Sequence, residues 1–252
     1  MHELDQFSRD FQNLIDMKPQ WPEFLKKGSE MVRVLVSSPG WLNDFLTHLV
    51  LDEVLLQNQY HSGDPNDIVL FRSPARSFSV RAFVWEPHRR YPIHDHGSWG
   101  ILGVHLNRIR ETKYRRLDDG RTEGHARVEK AGEAVIETGG VTHVLPLNEG
   151  LHMMEAVGGK TAISIHVYGQ AMRKGYIQQF DPHHHAVHRV YAPHLHKKVL
   201  AMRVLCCIPE SWAEDVLKEV VKGPGPDYIS QEAQRALETL QHLKGKKLKA
   251  AK

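Results

Sequence analysis

Tyr91-Pro92-Ile93-His94-Asp95-His96-Gly97 is the stretch on which the reading of this chain turns. In an extended strand, side chains two residues apart leave from the same face. His94 and His96 can therefore point together into a barrel interior while Asp95 faces the other way. Pro92 stands at the start of the strand, where its missing N–H costs little, and Gly97 suits a turn directly after it. Two imidazoles held at this spacing by a rigid strand suit Fe, Zn, Ni or Cu.

The texture on either side of this stretch is β-rich. Short runs at 68–71, 78–85, 91–96, 101–106, 108–114, 125–129, 134–137, 141–145, 152–156 and 161–168 are separated by Gly, Pro and charges. That spacing predicts a mainly β antiparallel sandwich or barrel, not alternating βα units. The hairpin region 108–130 is unusually charged. Upstream, Leu4, Phe7, Phe11, Leu14 and Ile15 recur at helical spacing. Pro22 suits the first turn of a second helix bearing Phe24, Leu25, Met31, Leu35 and Val36. After Pro39-Gly40 the segment 41–56 predicts a third helix, and His61-Ser62-Gly63-Asp64-Pro65-Asn66 reads as a turn. Downstream, a Pro- and His-rich stretch at 181–198 holds His183-His184-His185, His188, His194 and His196, and reads as a solvated loop interrupted by Pro182 and Pro193. Helices are expected at 211–222 and 230–243, parted by Gly223-Pro224-Gly225-Pro226, with Trp212, Val216, Val220 and Leu237 for packing. The chain thus divides into an N-terminal helical segment at 1–60, a barrel carrying the metal site at 61–200 and a C-terminal helical extension at 201–252.

Composition narrows the function classes. The 252 residues are 41% hydrophobic and 25% charged, as expected of one globular core with appendages. No apolar run approaches the roughly 20 residues of a membrane span, and the acidic start without an apolar core predicts no secretory signal. The net charge of +3 comes partly from the tail Lys244-Gly245-Lys246-Lys247-Leu248-Lys249, so no nucleic-acid partner is expected. Only two cysteines occur, the adjacent Cys206 and Cys207, which predicts a reducing, cytoplasmic setting without disulfides. Beside Val204, Leu205 and Ile208 they are expected to be buried. Eighteen histidines, clustered rather than scattered, direct attention to metals or proton transfer.

Three segments together resemble a known family: Pro92-Ile93-His94-Asp95-His96, then Gly150-Leu151-His152, then Ser164-Ile165-His166-Val167-Tyr168-Gly169. They look like the thiol dioxygenases, that is cysteine dioxygenase and its bacterial 3-mercaptopropionate dioxygenase relatives, over about Phe71 to Gly169. These are cupins, so the resemblance implies a double-stranded β-helix jelly-roll barrel. Many cupins add a Glu soon after the His pair; here Gly97-Ser98-Trp99-Gly100 follows and the first carboxylate is Glu111. His143 and His152 both lie in predicted strands as the remaining ligand, and the resemblance favours His152. By the same resemblance His94, His96 and His152 bind Fe(II), and Ser164, His166 and Tyr168 form a hydrogen-bonded relay whose tyrosine faces the substrate and O2. Ser164, His166 and Tyr168 alternate and can all point inward from one strand, which makes such a relay physically coherent. The implied reaction converts a small thiol to its sulfinate.

A thiol carboxylate needs a cation, and arginine is its geometric match. Arg72 matches the position used by cysteine dioxygenases and Arg173 that used by the mercaptopropionate type; both are present, and the alternatives stay open. Arg76 and Arg81 read as exposed strand charges. Gly100-Ile101 offers no cysteine for the crosslink to tyrosine found in mammalian relatives, and Tyr168-Gly169-Gln170 looks more like the mercaptopropionate type. Expected partners are the thiol and O2, with neither nucleic acid nor membrane, in a monomer or homodimer. The other readings are a cupin using the same histidines with Zn, Ni or Mn for isomerase, lyase or hydrolase chemistry, and a metal-dependent sensor. Fold alone does not choose among them.

Overall fold

Strand β9 (Ala162–Gly169) decides the architecture, because its alternate residues belong to two different cores. Ile163, Ile165 and Val167 join a core built with helices, whereas Ala162 and Tyr168 pack with residues of a barrel interior. Both faces are covered, so six of its eight residues are buried. The computed structural model describes residues 2–38, 40–59, 64 and 66–250, with side chains described up to Gly245. Pro39, and His61-Ser62-Gly63 and Pro65 of the expected turn, lie outside the described residues.

Around β9 a five-stranded antiparallel sheet runs in the order β1-β2-β9-β4-β7, with β1 Asp67–Arg72, β2 Phe78–Trp85, β4 Gly100–Leu106 and β7 Val141–Val144. A second sheet runs β11-β10-β3-β8-β5-β6, with β3 Ile93–His94, β5 Ile109–Arg116, β6 Val128–Ile136, β8 His152–Ala156, β10 Tyr176–Asp181 and β11 Ala186–Tyr191. Trp85, Leu102, Val104 and Ala162 of the first sheet pack on Ile109 and Met154 of the second. Two such sheets closing on a shared interior form an antiparallel jelly-roll barrel, as the sequence predicts.

The helices α1 (His2–Asp16) and α2 (Trp21–Ser37) cover the outer face of the five-stranded sheet. Phe11, Phe24, Val32 and Val36 meet Val80, Ala82 and Ile101 there. Fully burying a side chain such as Phe11 contributes about 1.5–3 kcal/mol. The approach is close: a Cβ on Gly103 of β4 would stand 2.8 Å from Val32 Cγ1. The expected third helix at 41–56 is instead two, α3 (Asn43–Leu51) and α4 (Glu53–Gln57). Asp52 ends the first in extended backbone, and its carboxylate accepts the Val54 and Leu55 N–H groups that open the second.

Several other expectations shift. The strand expected at 91–96 is only Ile93–His94, since Asp95 N–H donates to Gln178 O outside the ladder and a bend follows. The two runs at 125–129 and 134–137 are largely one strand, β6, exposed along most of its length. Its charges are cross-strand pairs: Arg115 faces Glu129 in register and bonds to it, and Arg110 reaches Glu133. The His-rich stretch is not an irregular loop. It forms the β10–β11 hairpin and the start of α5 (Pro193–Leu205), because Pro193 sits in the first helical turn where its missing N–H costs nothing.

One compact unit ends at Val190 and a second begins at Tyr191, so the helical extension starts before the expected Ala201. In the second unit α5, α6 (Ser211–Lys222) and α7 (Asp227–Ala250) bury Val199, Met202, Leu217, Ala233, Leu237 and Leu240. Tyr191 Oη donates to Glu232 Oε1 at 2.8 Å. Trp212 and Val216 are exposed. Cys207 is also exposed and Cys206 half-buried at the C-terminal cap of α5, past its last turn, where the expected burial does not reach. Among the described residues, no helix is long and apolar enough to cross a membrane.

Candidate metal centre

Three histidine rings meet inside the barrel. His94 lies on β3 and stands in register with His152 on β8, so their side chains share a face. His96 follows two residues after His94, just past the end of β3. The ring centroids lie 4.8 Å apart for His94–His96, 4.8 Å for His94–His152 and 4.7 Å for His96–His152. One ring nitrogen from each falls within 4.8 Å of the others. Two ligands about 2.1 Å from a shared ion are at most roughly 4.2 Å apart, so small ring rotations bring the set to bonding distance.

The hydrogen bonds choose which nitrogens those are. His94 Nδ1–H donates to Pro92 O at 3.0 Å, and His96 Nδ1–H to Gly150 O at 3.2 Å. His152 Nδ1–H donates to Glu111 Oε1 at 2.8 Å. A carbonyl or carboxylate can only accept, so each Nδ1 carries the proton and each Nε2 keeps its lone pair. His96 Nε2 and His152 Nε2 are buried with no hydrogen-bond partner among the described residues. Burial, reinforced by the neighbouring histidines, holds both rings well below the usual imidazole range and therefore neutral. Orphaned, convergent, neutral nitrogens fit a first-row divalent metal. His143 does not join them: it is exposed on β7, offering only its carbonyl to Lys113 Nζ.

Glu111 completes the setting of His152. It is buried on β5, its Oε2 accepts from Thr142 Oγ1 at 2.8 Å, and burial raises its carboxyl above the usual range. Such carboxylate–histidine pairs fix a ligand's tautomer and raise its basicity. Sequence reasoning had met Glu111 only as a carboxylate too distant to be a ligand. No local pattern announces a partner separated from His152 by the β5–β8 register.

Facing the triad, the central strand of the other sheet carries a chain of hydrogen bonds. Trp85 Nε1–H donates to Ser164 Oγ at 2.8 Å, Ser164 Oγ lies 2.7 Å from His166 Nε2, and His166 Nδ1 lies 2.8 Å from Tyr168 Oη. Indole is a donor only, which sets the polarity. Ser164 then donates to His166 Nε2, His166 Nδ1–H donates to Tyr168 Oη, and the phenolic hydrogen is free to face the triad. The reverse direction would leave the buried Ser164 hydroxyl hydrogen with no acceptor among the described residues. Burial lowers His166 and raises Tyr168 well above their usual ranges, so both stay neutral. The Tyr168 ring stacks on His96 with centroids 5.7 Å apart. Gly100, in register with Tyr168, makes room for it: a Cβ there would come within 2.7 Å of the phenol ring. Trp85 was not singled out in the sequence, where it reads as one more aromatic in a strand.

The two expected carboxylate-binding arginines part company. Arg173 gives Nη1 and Nη2 to the two oxygens of Asp95 at 2.7 and 2.5 Å, and stacks over Tyr176. Asp95 is fully buried and alternates with the ligands, so this pair sits on the other side of the His94–His96 segment. Arg72 ends β1, exposed, in register with Ser79, which is in register with Tyr168; it therefore lies on the relay's face at the rim.

No protein-family profile matches the chain. Among solved structures it is similar to a cupin 2 conserved barrel domain protein from Rhodopseudomonas palustris, at 13% identity over 46% of this chain and 66% of that one, TM-score 0.35. It is likewise similar to a cupin-like protein from Thermotoga maritima, at 19% identity, 44% and 72% coverage and TM-score 0.31. A third is an HTH_3 family transcriptional regulator from Vibrio cholerae, at 15% identity, 48% and 61% coverage and TM-score 0.32. This chain spans less than two thirds of the length of the first and third. The barrel assignment rests on strand order and register; these likenesses add no function to it.

Proposed function

We propose that the protein is an iron-dependent thiol dioxygenase, oxidising a small thiol that carries a carboxylate to its sulfinate. The observation that carries this reading is the polarised chain from Trp85 through Ser164 and His166 to Tyr168, ending against His96. A metal-dependent sensor has no need of a phenolic proton aimed at its metal site. In the overall change, one thiol and one O2 give one sulfinate and one proton; both oxygen atoms end on sulfur and no external reductant is consumed. Iron(II), when bound at His94, His96 and His152, supplies the one-electron exchange that lets O2 react with a thiolate.

The chain's own residues do the rest. Three neutral imidazoles bring no negative charge to the site, which favours an anionic thiolate over a neutral thiol. Tyr168 holds its proton at Oη while His166 occupies the oxygen's other side, so the donor direction is set before substrate arrives. Phe83 lies tilted against His166 with ring centroids 4.4 Å apart and covers that side of the relay.

Oxygen consumption by protein loaded anaerobically with Fe(II) tests this, using cysteine, 3-mercaptopropionate, mercaptosuccinate and cysteamine, with sulfinate identified by mass after reaction in labelled O2. Thiol-dependent uptake with both labels in the product is expected. Absence of uptake with all four thiols sinks the proposal.

A further inference from the structure

The inner face of β2 carries a charge that neither the ligand set nor the relay uses. Arg81 is the direct cross-strand partner of His166 in the β2–β9 ladder, and directly opposed residues of an antiparallel pair project from the same face. Alternation along β2 agrees: Val80 and Ala82 belong to the helix-side core, Phe83 and Trp85 to the barrel interior. Arg81 is therefore not the exposed strand charge expected from the sequence. Its side chain is 24% exposed, against 3% for Asp67 on β1, with which its Nη1 forms a close ion pair. Nε reaches Ser79 Oγ only at 3.4 Å, and Nη2 donates to nothing among the described residues. Burial dominates the shifts at His166 and Tyr168, and the Arg81 charge acts on both in the downward sense, as its nearness requires.

Compared with the other two arginines, this one is held by a buried partner and placed on the relay's face. Asp95 occupies both Nη atoms of Arg173 on the far side of the ligand segment. Arg72 is exposed at the end of its strand. Asp67 grips Arg81 by one corner and leaves part of a five-donor fork for a second anion. We propose that Arg81 is the residue by which this site selects a thiol bearing a carboxylate over a neutral thiol of the same length. The inference rests on the thiol dioxygenase reading and deepens it. A carboxylate gains an ion pair with the Arg81 guanidinium, whose planar fork matches carboxylate geometry, whereas a hydroxyl in the same place gains a hydrogen bond without the opposite charge.

The test is a binding measurement, independent of turnover. Fe(II)-loaded protein is titrated anaerobically with 3-mercaptopropionate and with 3-mercaptopropanol by calorimetry, and the ratio of the two dissociation constants is read. Wild type is expected to prefer the carboxylate, Arg81→Gln to lose about tenfold or more of that preference, and Arg72→Gln to keep most of it. Because Arg81→Gln strands the buried Asp67, the double variant Asp67→Asn with Arg81→Gln is measured beside it and should also lose the preference. Retention of the wild-type ratio in the Arg81 variants overturns the proposal, as does a wild type that binds both thiols equally, which leaves the dioxygenase reading intact. A wild type that binds neither thiol overturns the inference as well, while the dioxygenase reading stands or falls on the oxygen uptake with all four thiols.

Discussion

Replacing Glu111 by Gln separates metal affinity from fold stability, because the structure assigns the two effects opposite signs. The carboxylate accepts from His152 Nδ1 and from Thr142 Oγ1, both at 2.8 Å, with Lys113 Nζ 3.8 Å away. A glutamine can keep its oxygen toward His152, and the Thr142 hydroxyl can turn to accept from the new amide. Geometry survives and the negative charge behind His152 is lost. Removing such a partner costs 10–100-fold in metal affinity as a rule, or about 1.4–2.8 kcal/mol. Gln should fall near the lower bound, and Glu111→Ala near the upper, since alanine also leaves the buried His152 Nδ1–H without its acceptor. The metal-free fold should respond differently. Burial raises the Glu111 carboxyl above its usual range, so the ionised form destabilises the folded state relative to the unfolded one at neutral pH. The metal-free Gln variant should therefore be as stable as wild type or more so. Competition against a chelator for Zn(II) or Fe(II), with thermal scans of the metal-free proteins, measures both. Unchanged metal affinity in Glu111→Gln would refute the reasoning, and so would a weakened metal-free fold that accounts for the whole loss.

Three further outcomes follow from particular contacts. His152→Ala should abolish metal binding while His143→Ala retains it within about twofold, because His143 points to solvent from β7; equilibrium dialysis decides, and the reverse pattern would move the third ligand. Trp85→Phe keeps an aromatic ring in the barrel but removes the donor that polarises the relay. It should lower kcat for thiol-dependent O2 uptake by about tenfold, less than the roughly 10²–10⁴-fold that a positioned proton donor contributes in full, because Tyr168 keeps its hydroxyl, with KM little changed; a KM effect alone would deny Trp85 this role. Asp118 accepts from Arg116, which holds its carboxyl far below the usual range, with help from the Arg127 and Gly120 N–H groups. A depressed carboxyl stabilises the fold above its unfolded pKa of about 3.9, and that contribution is lost as pH falls through the folded value. Urea midpoints of wild type should thus drop between about pH 4 and pH 2 more steeply than those of Asp118→Asn.

Much of this molecule is legible in its sequence wherever one local rule governs. Phe78–Trp85, His152–Ala156 and Ser211–Lys222 have the bounds that alternation, helical spacing and breakers predict. The rules failed where a residue type has two meanings. Pro193 reads as an interruption in the sequence but starts a helix in the structure, and the histidines beside it read as a loop for the same reason. The two runs around 125–137 look separate because charge, not apolar alternation, fills β6, its stability coming from pairs on β5 that lie at a distance in sequence. The same division holds at the site. His94, His96, His152 and the Ser164-His166-Tyr168 alternation are visible as spacing. Glu111, Trp85 and Arg81 gain their meaning only from strand register, which brings Trp85 to Ser164 and Glu111 to His152 across the barrel wall.

Strand β9 has no idle side, and that has a consequence for change over time. Ile163, Ile165 and Val167 are anchored in the helix-side core, while the residues between them carry the proton chain. The strand cannot part from its neighbours without opening that core, so the relay should be as hard to expose as the domain is to unfold. Water and oxidants then approach Tyr168 by way of the barrel mouth and not through a breathing wall. The same coupling ties the helix layer to the hydrogen-bonded chain. A substitution at Val32 or Val36 reaches β4 and β9 as a change of spacing, so a lineage that repacks those helices should also shift the position of Tyr168.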